Sequence, residues 1–145
     1  MRMPLGSQNL KLALMVAASL AATFSFGQSE EKAIQAMLAR QTQSMNNRDV
    51  RSYMSTLDPT IPQYSQTQKL MTKLLSVYKL NSKLESWKIT SIHGNSAKVI
   101  MVVLTTKLSG PKFRNNRATT INTLVKRNGK WLTSDTKMTK LDYLD

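Results

Sequence analysis

The second half of the chain alternates strand-like runs with short turn signals. Residues 97–104 are apolar and rich in β-branched side chains, which suits one strand but is too short to span a membrane. A turn at Gly94-Asn95 precedes this run, and Asn128-Gly129 is a strong hairpin signal because both residues tolerate positive φ angles. The pattern therefore predicts four antiparallel strands joined in sequence, at residues 84–92, 97–104, 117–127 and 131–141.

The first half of the chain has the spacing of three helices. Apolar residues recur every three or four positions from residue 30 to 45, and an Asn-Asn pair ends the pattern. Asp49 is a candidate N-cap for a short second helix, which must end before Pro59 because the residue before proline avoids the helical region. A third helix is expected over residues 64–78. These elements predict an α+β fold, with three N-terminal helices packed on an antiparallel four-stranded sheet.

The N-terminus has the features of a secretory signal peptide. Positive charge at Arg2 and Lys11 accompanies an apolar run, and small residues end at Gly27, as signal peptidase requires. We expect a signal peptide at residues 1–27, a single domain at residues 28–145, and a periplasmic or extracellular location. No cysteine follows the apolar run, so a lipid anchor is not expected. The alternative is a retained membrane anchor, although the run is shorter than the ~20 residues that a span needs.

The composition narrows the chemistry that is open to this domain. Its 145 residues include no cysteine, which excludes disulfides, thiolate metal sites and cysteine nucleophiles. The one histidine, His93, falls in a predicted turn without the companions that a metal site needs. We therefore expect neither a metal site nor a cofactor.

The charge of the chain favours anionic partners. There are 21 basic and 8 acidic residues, for a net charge of +13. One predicted loop concentrates basic residues, and its candidate anion-binding side chains are Lys112, Arg114 and Arg117. An anionic envelope surface is the candidate partner of this loop, and its single aromatic residue, Phe113, gives little reason to expect nucleic acid. The alternative is a solvated loop that keeps the protein soluble.

The turn at residues 94–95 predicts which side chains share each face of the sheet. Counting back from it pairs Ile89 with Ile100, and we expect this side to form the core. The opposite side then carries three apolar residues, Val99, Met101 and Val103. Because a solvent-facing sheet surface seldom carries so many apolar side chains, we expect a partner subunit to cover it, in a homodimer formed through the sheet.

The turn at residues 128–129 predicts a polar pair in the middle of the sheet. Counting from it sets Asn122 opposite Asp135 and Lys126 opposite Trp131, a pair suited to a cation–π contact. With Tyr53 nearby, the Asn122–Asp135 pair is a candidate for orienting a small polar ligand or for general-base chemistry. The alternative is cross-strand hydrogen bonding alone.

The order and punctuation of these elements resemble the NTF2-like superfamily, also called the SnoaL-like or cystatin-like α+β cone. The features that match are an Asn-Asn-Arg-Asp turn ending at Asp49, a Gly-Asn turn before an Ala-x-Val strand, and the closing Asn-Gly-Lys-Trp-Leu hairpin. The resemblance covers residues 30–144. It implies a curved sheet around a conical pocket, and dimers formed through the outer sheet. The superfamily holds both enzymes and noncatalytic binding proteins, so it does not by itself assign an activity.

The enzymes of this superfamily supply a template against which the chain can be compared. Its ketosteroid isomerases use a carboxylate base and an oxyanion hole built from a tyrosine and a protonated aspartate. In this chain the pocket-side carboxylates would have to come from Asp58, Glu85 or Asp135, with Tyr53 or Tyr64 as the hydrogen-bond donor. No tyrosine occurs in the first predicted helix, where the isomerases place theirs, and the dehydratase arrangement needs histidines that this chain lacks.

Three functions therefore stay open. The favoured one is an exported, noncatalytic domain that binds a small molecule or a protein, with Asn122, Asp135, Tyr53 and Tyr64 as candidate ligand contacts. The second is an isomerase, dehydratase or hydrolase with Asp135 as base and Tyr53 as proton donor. The third is a basic binder of anionic envelope polymers.

Overall fold

The computed structural model describes residues 7–144, with side chains from residue 27 onward. The predicted signal peptide at residues 1–27 lies almost wholly outside the residues with described side chains, and it stays a prediction, as does the location outside the cytoplasm. Among the described residues, no helix combines the length and apolar character that crossing a bilayer requires.

The described residues form three helices followed by four strands, in the predicted order. Every strand is longer than its predicted bounds, and the first begins five residues earlier. The elements are α1 Ser7–Asn46, α2 Val50–Met54, α3 Tyr64–Val77, β1 Lys79–His93, β2 Ser96–Ser109, β3 Asn116–Arg127 and β4 Lys130–Tyr143.

The chain divides into two compact units, Met1–Ala33 and Ile34–Asp145. The first unit is helical from Ser7 onward. The second contains the last turns of α1, both shorter helices and the whole sheet. The site described below belongs to the second unit alone.

The sheet is an antiparallel meander with the strand order β1-β2-β3-β4. Both predicted hairpin turns are confirmed. Gly94 adopts a φ of 56°, and Asn128 and Gly129 adopt φ values of 51° and 76°, the positive angles that tight two-residue turns demand. The α+β fold predicted from the sequence is therefore confirmed.

A β-bulge at Thr90 overturns the predicted register of the first hairpin. Ile89 pairs with Val99 rather than with Ile100, because Thr90 is an extra residue on β1. A one-residue slip moves every later side chain of a strand to the other face relative to its partner. Ile89 packs against the core as predicted, whereas the prediction that Ile100 and its neighbours on β2 form the core is wrong.

The core lies on the face that was expected to need a partner subunit. Val99 and Met101 are 0% and 4% exposed, and Val103 packs against the same cluster. The last turns of α1 cover this face, which we call the inner face, with Ile34, Met37 and Leu38. Because the chain covers these residues itself, the reason for predicting a homodimer is wrong, and the dimer stays an untested prediction.

A second bulge alters the pairing of β3 with β4. The pairs nearest the turn are as predicted, and Lys126 Nζ lies 5.8 Å from the centroid of the Trp131 ring. Beyond Leu124 the register shifts by one residue, so that Asp135 lies opposite Thr123. The predicted pairing of Asn122 with Asp135 is therefore wrong.

The segment after α2 pairs with β4, an edge strand of the sheet. Leu57 forms a parallel bridge with Thr133 of β4. Two backbone hydrogen bonds hold it, from Asp58 N to Thr133 O at 2.9 Å and from Thr133 N to Thr56 O at 2.8 Å. This bridge places the buried Asp58 beside the end of the β3–β4 hairpin.

The turn between α1 and α2 is fixed by side-chain hydrogen bonds. The Asn46 amide donates to the carbonyl of Ser82 and accepts from the backbone N–H of the same residue. Arg48, at a φ of 57°, donates to the carbonyl of Leu75 at 2.7 Å. The Asp49 carboxylate accepts from Ser52 N at 3.0 Å, which confirms the predicted N-cap.

Leu38→Ala should lower the free energy of unfolding by about 2–5 kcal/mol, because Leu38 is fully buried and its truncation leaves a cavity. The exposed Gln35 of the same helix provides the control, and Gln35→Ala should stay within about 0.5 kcal/mol of the parent. Urea unfolding of the three proteins measures both differences. Equal stability of all three would contradict the packing of α1 on the sheet.

Candidate functional site

Asn122, the centre of the predicted polar site, is a buried residue of the inner face. It is 3% exposed. Its amide nitrogen donates to Thr120 Oγ1 at 2.9 Å, and its oxygen accepts from Thr136 Oγ1 at 2.7 Å. The amide is thus engaged by neighbouring threonines of the same face, which leaves it less available to orient a ligand.

Asp135, the candidate general base, lies on the opposite side of the sheet. Its position across from Thr123 places it on the outer face, and it is exposed. The bulge that shifts β4 is the reason, since without it Asp135 would lie across from Asn122. The structure therefore separates the two residues that the sequence had brought together.

The candidate tyrosines lie on the helices. Tyr53 is half-buried in α2, and its burial raises the pKa of its phenol. Tyr64 begins α3, and its hydroxyl donates to the carbonyl of Met54 at 3.5 Å. Among the described residues, no hydrogen bond joins either tyrosine to Asn122 or Asp135.

Asp58 is held by a network that favours its ionised form. Its carboxylate accepts from Arg127 Nη2 at 3.1 Å and Nε at 3.2 Å, and from the Thr60 hydroxyl at 2.8 Å and backbone N–H at 3.0 Å. Burial pushes the pKa of Asp58 upward, but the Thr60 and Arg127 hydrogen bonds outweigh it, so the pKa lies below its ordinary value.

Glu85 is likewise committed to an arginine. Arg117 Nε and Nη2 donate to its two carboxylate oxygens at 2.6 and 3.0 Å, a bidentate pair. The Arg117 hydrogen bond is the main reason that the pKa of Glu85 lies below its ordinary value. Neither Asp58 nor Glu85 has the raised pKa that a carboxylic proton donor requires.

The three basic residues predicted to bind anions do not converge on one site. Arg117 is paired with Glu85, whereas the Arg114 guanidinium lies 3.8 Å from the centroid of the Tyr143 ring. Lys112 is exposed, and its carbonyl accepts from the Tyr78 hydroxyl at 3.3 Å. Two of the three cations are therefore already partnered within the fold.

The loop that carries them is fixed by its own contacts. Lys107 Nζ donates to the carbonyls of Gly110 and Pro111 at 3.1 and 2.8 Å. Tyr78 and Phe113 pack with their ring centroids 5.5 Å apart. A Cβ at Gly110 would lie 2.6 Å from a backbone oxygen at the end of α3, and the φ of 121° there also demands glycine.

The outer face of the sheet is the side opposite the inner face. The sequence analysis predicted that its residues on β2 belong to the core. Its centre consists of half-buried apolar side chains on the three strands β2, β3 and β4. They are Ile100, Val102, Leu104, Ile121, Val125 and Leu132. The sequence does contain a signal for this surface. Residues 97–104 are apolar at both alternating sets of positions, which indicates two apolar faces of the sheet.

Lysines surround this apolar centre. Lys88 lies opposite Ile100 on β1, and Lys137 lies opposite Ile121 on β4, so one row of the sheet reads Lys-Ile-Ile-Lys. Other exposed lysines of the same face are Lys83, Lys98 and Lys140. An apolar centre with a charged rim is the usual anatomy of a protein-binding surface.

Two other features of the described residues give less support to a binding site. A shallow, open hollow of about 440 Å³ lies along α3, with all of its lining from one helix: Ser65, Gln68, Lys69, Thr72, Lys73 and Ser76. In residues 27–144, no three His, Cys, Asp or Glu side chains are grouped as a metal ion would need.

The helices and the four-stranded meander together define an NTF2-like α+β fold, and solved structures share it. A putative scytalone dehydratase from Novosphingobium aromaticivorans has a TM-score of 0.70 at 13% identity, covering 84% of this chain and 92% of its own. A Nostoc punctiforme protein of unknown function with a cystatin-like fold has a TM-score of 0.63 at 14% identity, covering 77% and 90%. An NTF2-like protein of unknown function from Pseudomonas putida has 0.62 at 13%, covering 77% and 87%.

The sequence itself matches a family within this fold. The model of the C-terminal domain of the anti-sigma-I factor RsgI9 matches residues 36–144, which is most of the chain. The chain therefore belongs to the family of RsgI9 C-terminal domains. No curated protein matches it.

The pH dependence of stability should reveal the Asp58 network. Because the folded pKa of Asp58 is depressed, its contribution is present above the unfolded value of about 3.9 and is lost as pH falls through the folded pKa. Asp58→Asn should lower the free energy of unfolding by about 1–3 kcal/mol at pH 7.

Urea unfolding of the parent and of Asp58→Asn between pH 7 and pH 2 measures this effect. The difference between the two proteins should shrink below about pH 4, where the unfolded parent binds a proton at Asp58 that the folded parent still excludes. A difference that stays constant down to pH 2 would show that Asp58 is not held ionised in the folded state.

Proposed function

We propose that this domain is a noncatalytic protein-interaction domain, exported by its N-terminal segment, that binds its partner through the outer face of the sheet. The observation that carries this proposal is the combination on one face of a half-buried apolar centre, with Ile100 and Ile121 in the middle, and an exposed lysine rim. Burying such a centre against another apolar surface gains about 25 cal/mol per Å².

The carboxylates support a binding role over catalysis. Asp58 and Glu85 are ionised partners of arginines, Asp49 caps α2, and Asp135 is exposed on the outer face. A general base of the isomerase type needs a carboxylate in an apolar pocket beside a proton donor. These positions favour the use of acidic residues for the architecture of the fold.

Membership of the family also supports a binding role. Its name comes from an anti-sigma-I factor, a regulator whose name describes action against a sigma factor. A C-terminal domain that binds a protein is compatible with a factor of that name. The fold is shared with proteins named as enzymes, which is why the outer face, rather than the fold, carries the proposal.

Ile121→Glu tests this proposal, because it places a charge in the apolar centre, where burial against a partner is costly. The tagged full chain is expressed in its own cells, and co-purifying proteins are quantified by mass spectrometry. The yield of the specific partner should fall at least about tenfold, which corresponds to ~1.4 kcal/mol.

Leu70→Glu is the matched control, because Leu70 is 59% exposed on α3, away from the sheet. It should leave the yield unchanged, and the urea midpoints of both variants should confirm that they fold. A partner retained equally by Ile121→Glu, or the absence of any protein that distinguishes the two variants, would refute the proposal.

A further inference from the structure

Two of the β-bulges in the sheet, at Thr90 of β1 and Ser134 of β4, each direct a lysine to the outer face. Without the extra residue at Thr90, Lys88 would lie opposite Met101 on the buried inner face; with it, Lys88 lies opposite Ile100. The bulge of β4 acts in the same way on Lys137, which pairs with Ile121. The apolar row of the outer face therefore ends in a lysine on both edges of the sheet.

The remaining charges of this face leave it positive. Among the described residues, its cations include Lys83, Lys88, Lys98, Lys137, Lys140 and Arg117, and its carboxylates are Glu85, Asp135 and Asp142. Glu85 pairs with Arg117, and Asp142 lies 3.4 Å from Lys140. Lys88, Lys98 and Lys137 have no ion pair within residues 27–144, so the rim is cationic on both sides of the apolar centre.

We infer that the partner of this face is a different protein, one that presents an apolar patch surrounded by acidic side chains. The inference rests on the proposed function and specifies the chemistry of its partner. A second copy of the chain would bring the same excess of lysines to the interface, and like charges at close range disfavour association. An acidic rim would instead pair with Lys88 and Lys137 while its apolar centre covers Ile100 and Ile121.

The apolar centre separates this partner from anionic polymers. A polysaccharide or a phosphate backbone could pair with the lysines, but it offers little apolar surface against the isoleucine and valine side chains. Burial of those side chains is what an apolar protein patch adds. The combination on one surface therefore favours an acidic protein.

The face is large enough for such an interface. Four strands ~4.8 Å apart, paired over about twelve residues at ~3.3 Å per residue, cover roughly 40 Å by 19 Å. This is on the order of 750 Å², close to the ~800 Å² that each partner contributes to a standard interface.

Photocrosslinking in the native cells tests the inference. A benzoylphenylalanine probe replaces Thr119, which lies on the outer face opposite Lys140, or Thr120, which lies on the inner face and accepts from Asn122. These neighbours are both half-buried and differ in the face they occupy, so each controls for the other. The expected product forms from position 119 and joins the chain to a protein of acidic isoelectric point.

Charge reversal on the purified pair then tests the rim. The double variant Lys88→Glu/Lys137→Glu should weaken binding of the crosslinked protein at least about tenfold, and added salt should weaken binding of the parent. Lys69→Glu/Lys73→Glu on α3 makes the same change of net charge away from the face and should alter affinity less than about threefold.

The outcomes separate the inference from the proposed function. Two outcomes overturn the inference alone. One is a crosslinked product from position 119 that joins two copies of this chain. The other is a protein partner that binds the Lys88→Glu/Lys137→Glu variant as tightly as it binds the parent. A protein product from position 120 and none from position 119 overturns both, because the partner would then bind away from the outer face. No protein product from either position overturns both.

Discussion

Ile34, Met37 and Leu38 lose nearly all contact with solvent where the last turns of α1 meet the sheet, and this burial decides which sheet face becomes the interior. Each such side chain contributes about 1.5–3 kcal/mol when fully buried. The strands are apolar at both sets of alternating positions, so the strands alone do not select a face. The helix selects it by covering Val99 and Met101, and the other set is left outside.

The elements themselves could be predicted from the sequence because their signals are local. The turns at Gly94 and Asn128 require positive φ angles, and Asp49 caps the helix that follows it. A few neighbouring residues therefore determine where each of these elements begins or ends. The faces of the sheet could not be predicted in the same way. A bulge such as that at Thr90 is one extra residue without a distinctive side chain, yet it moves the side chains that follow it, up to the next bulge, to the other face.

The prediction that Asn122 and Asp135 form one polar site was wrong for the same physical reason, a β-bulge. Each of the two residues has a structural explanation of its own. Asn122 is buried on the inner face and bonded to threonines, whereas the bulge carries Asp135 to the opposite face. Long-range ion pairs were equally hidden from the sequence. Asp58 and Arg127 are 69 positions apart, and only the bridge between Leu57 and β4 brings them together.

The bulges connect the architecture of the domain to its surface chemistry. In a regular ladder, Lys88 and Lys137 would lie across from Met101 and Thr120 on the inner face, where Met101 is buried. A lysine drawn into that core would lose its hydration or leave its ammonium unpaired, a cost of several kcal/mol. One extra residue in each edge strand removes this conflict and places both cations beside the apolar centre of the outer face. The same irregularities that keep the core apolar therefore give the outer face its positive rim, and with it the electrostatic selectivity that an acidic partner would meet.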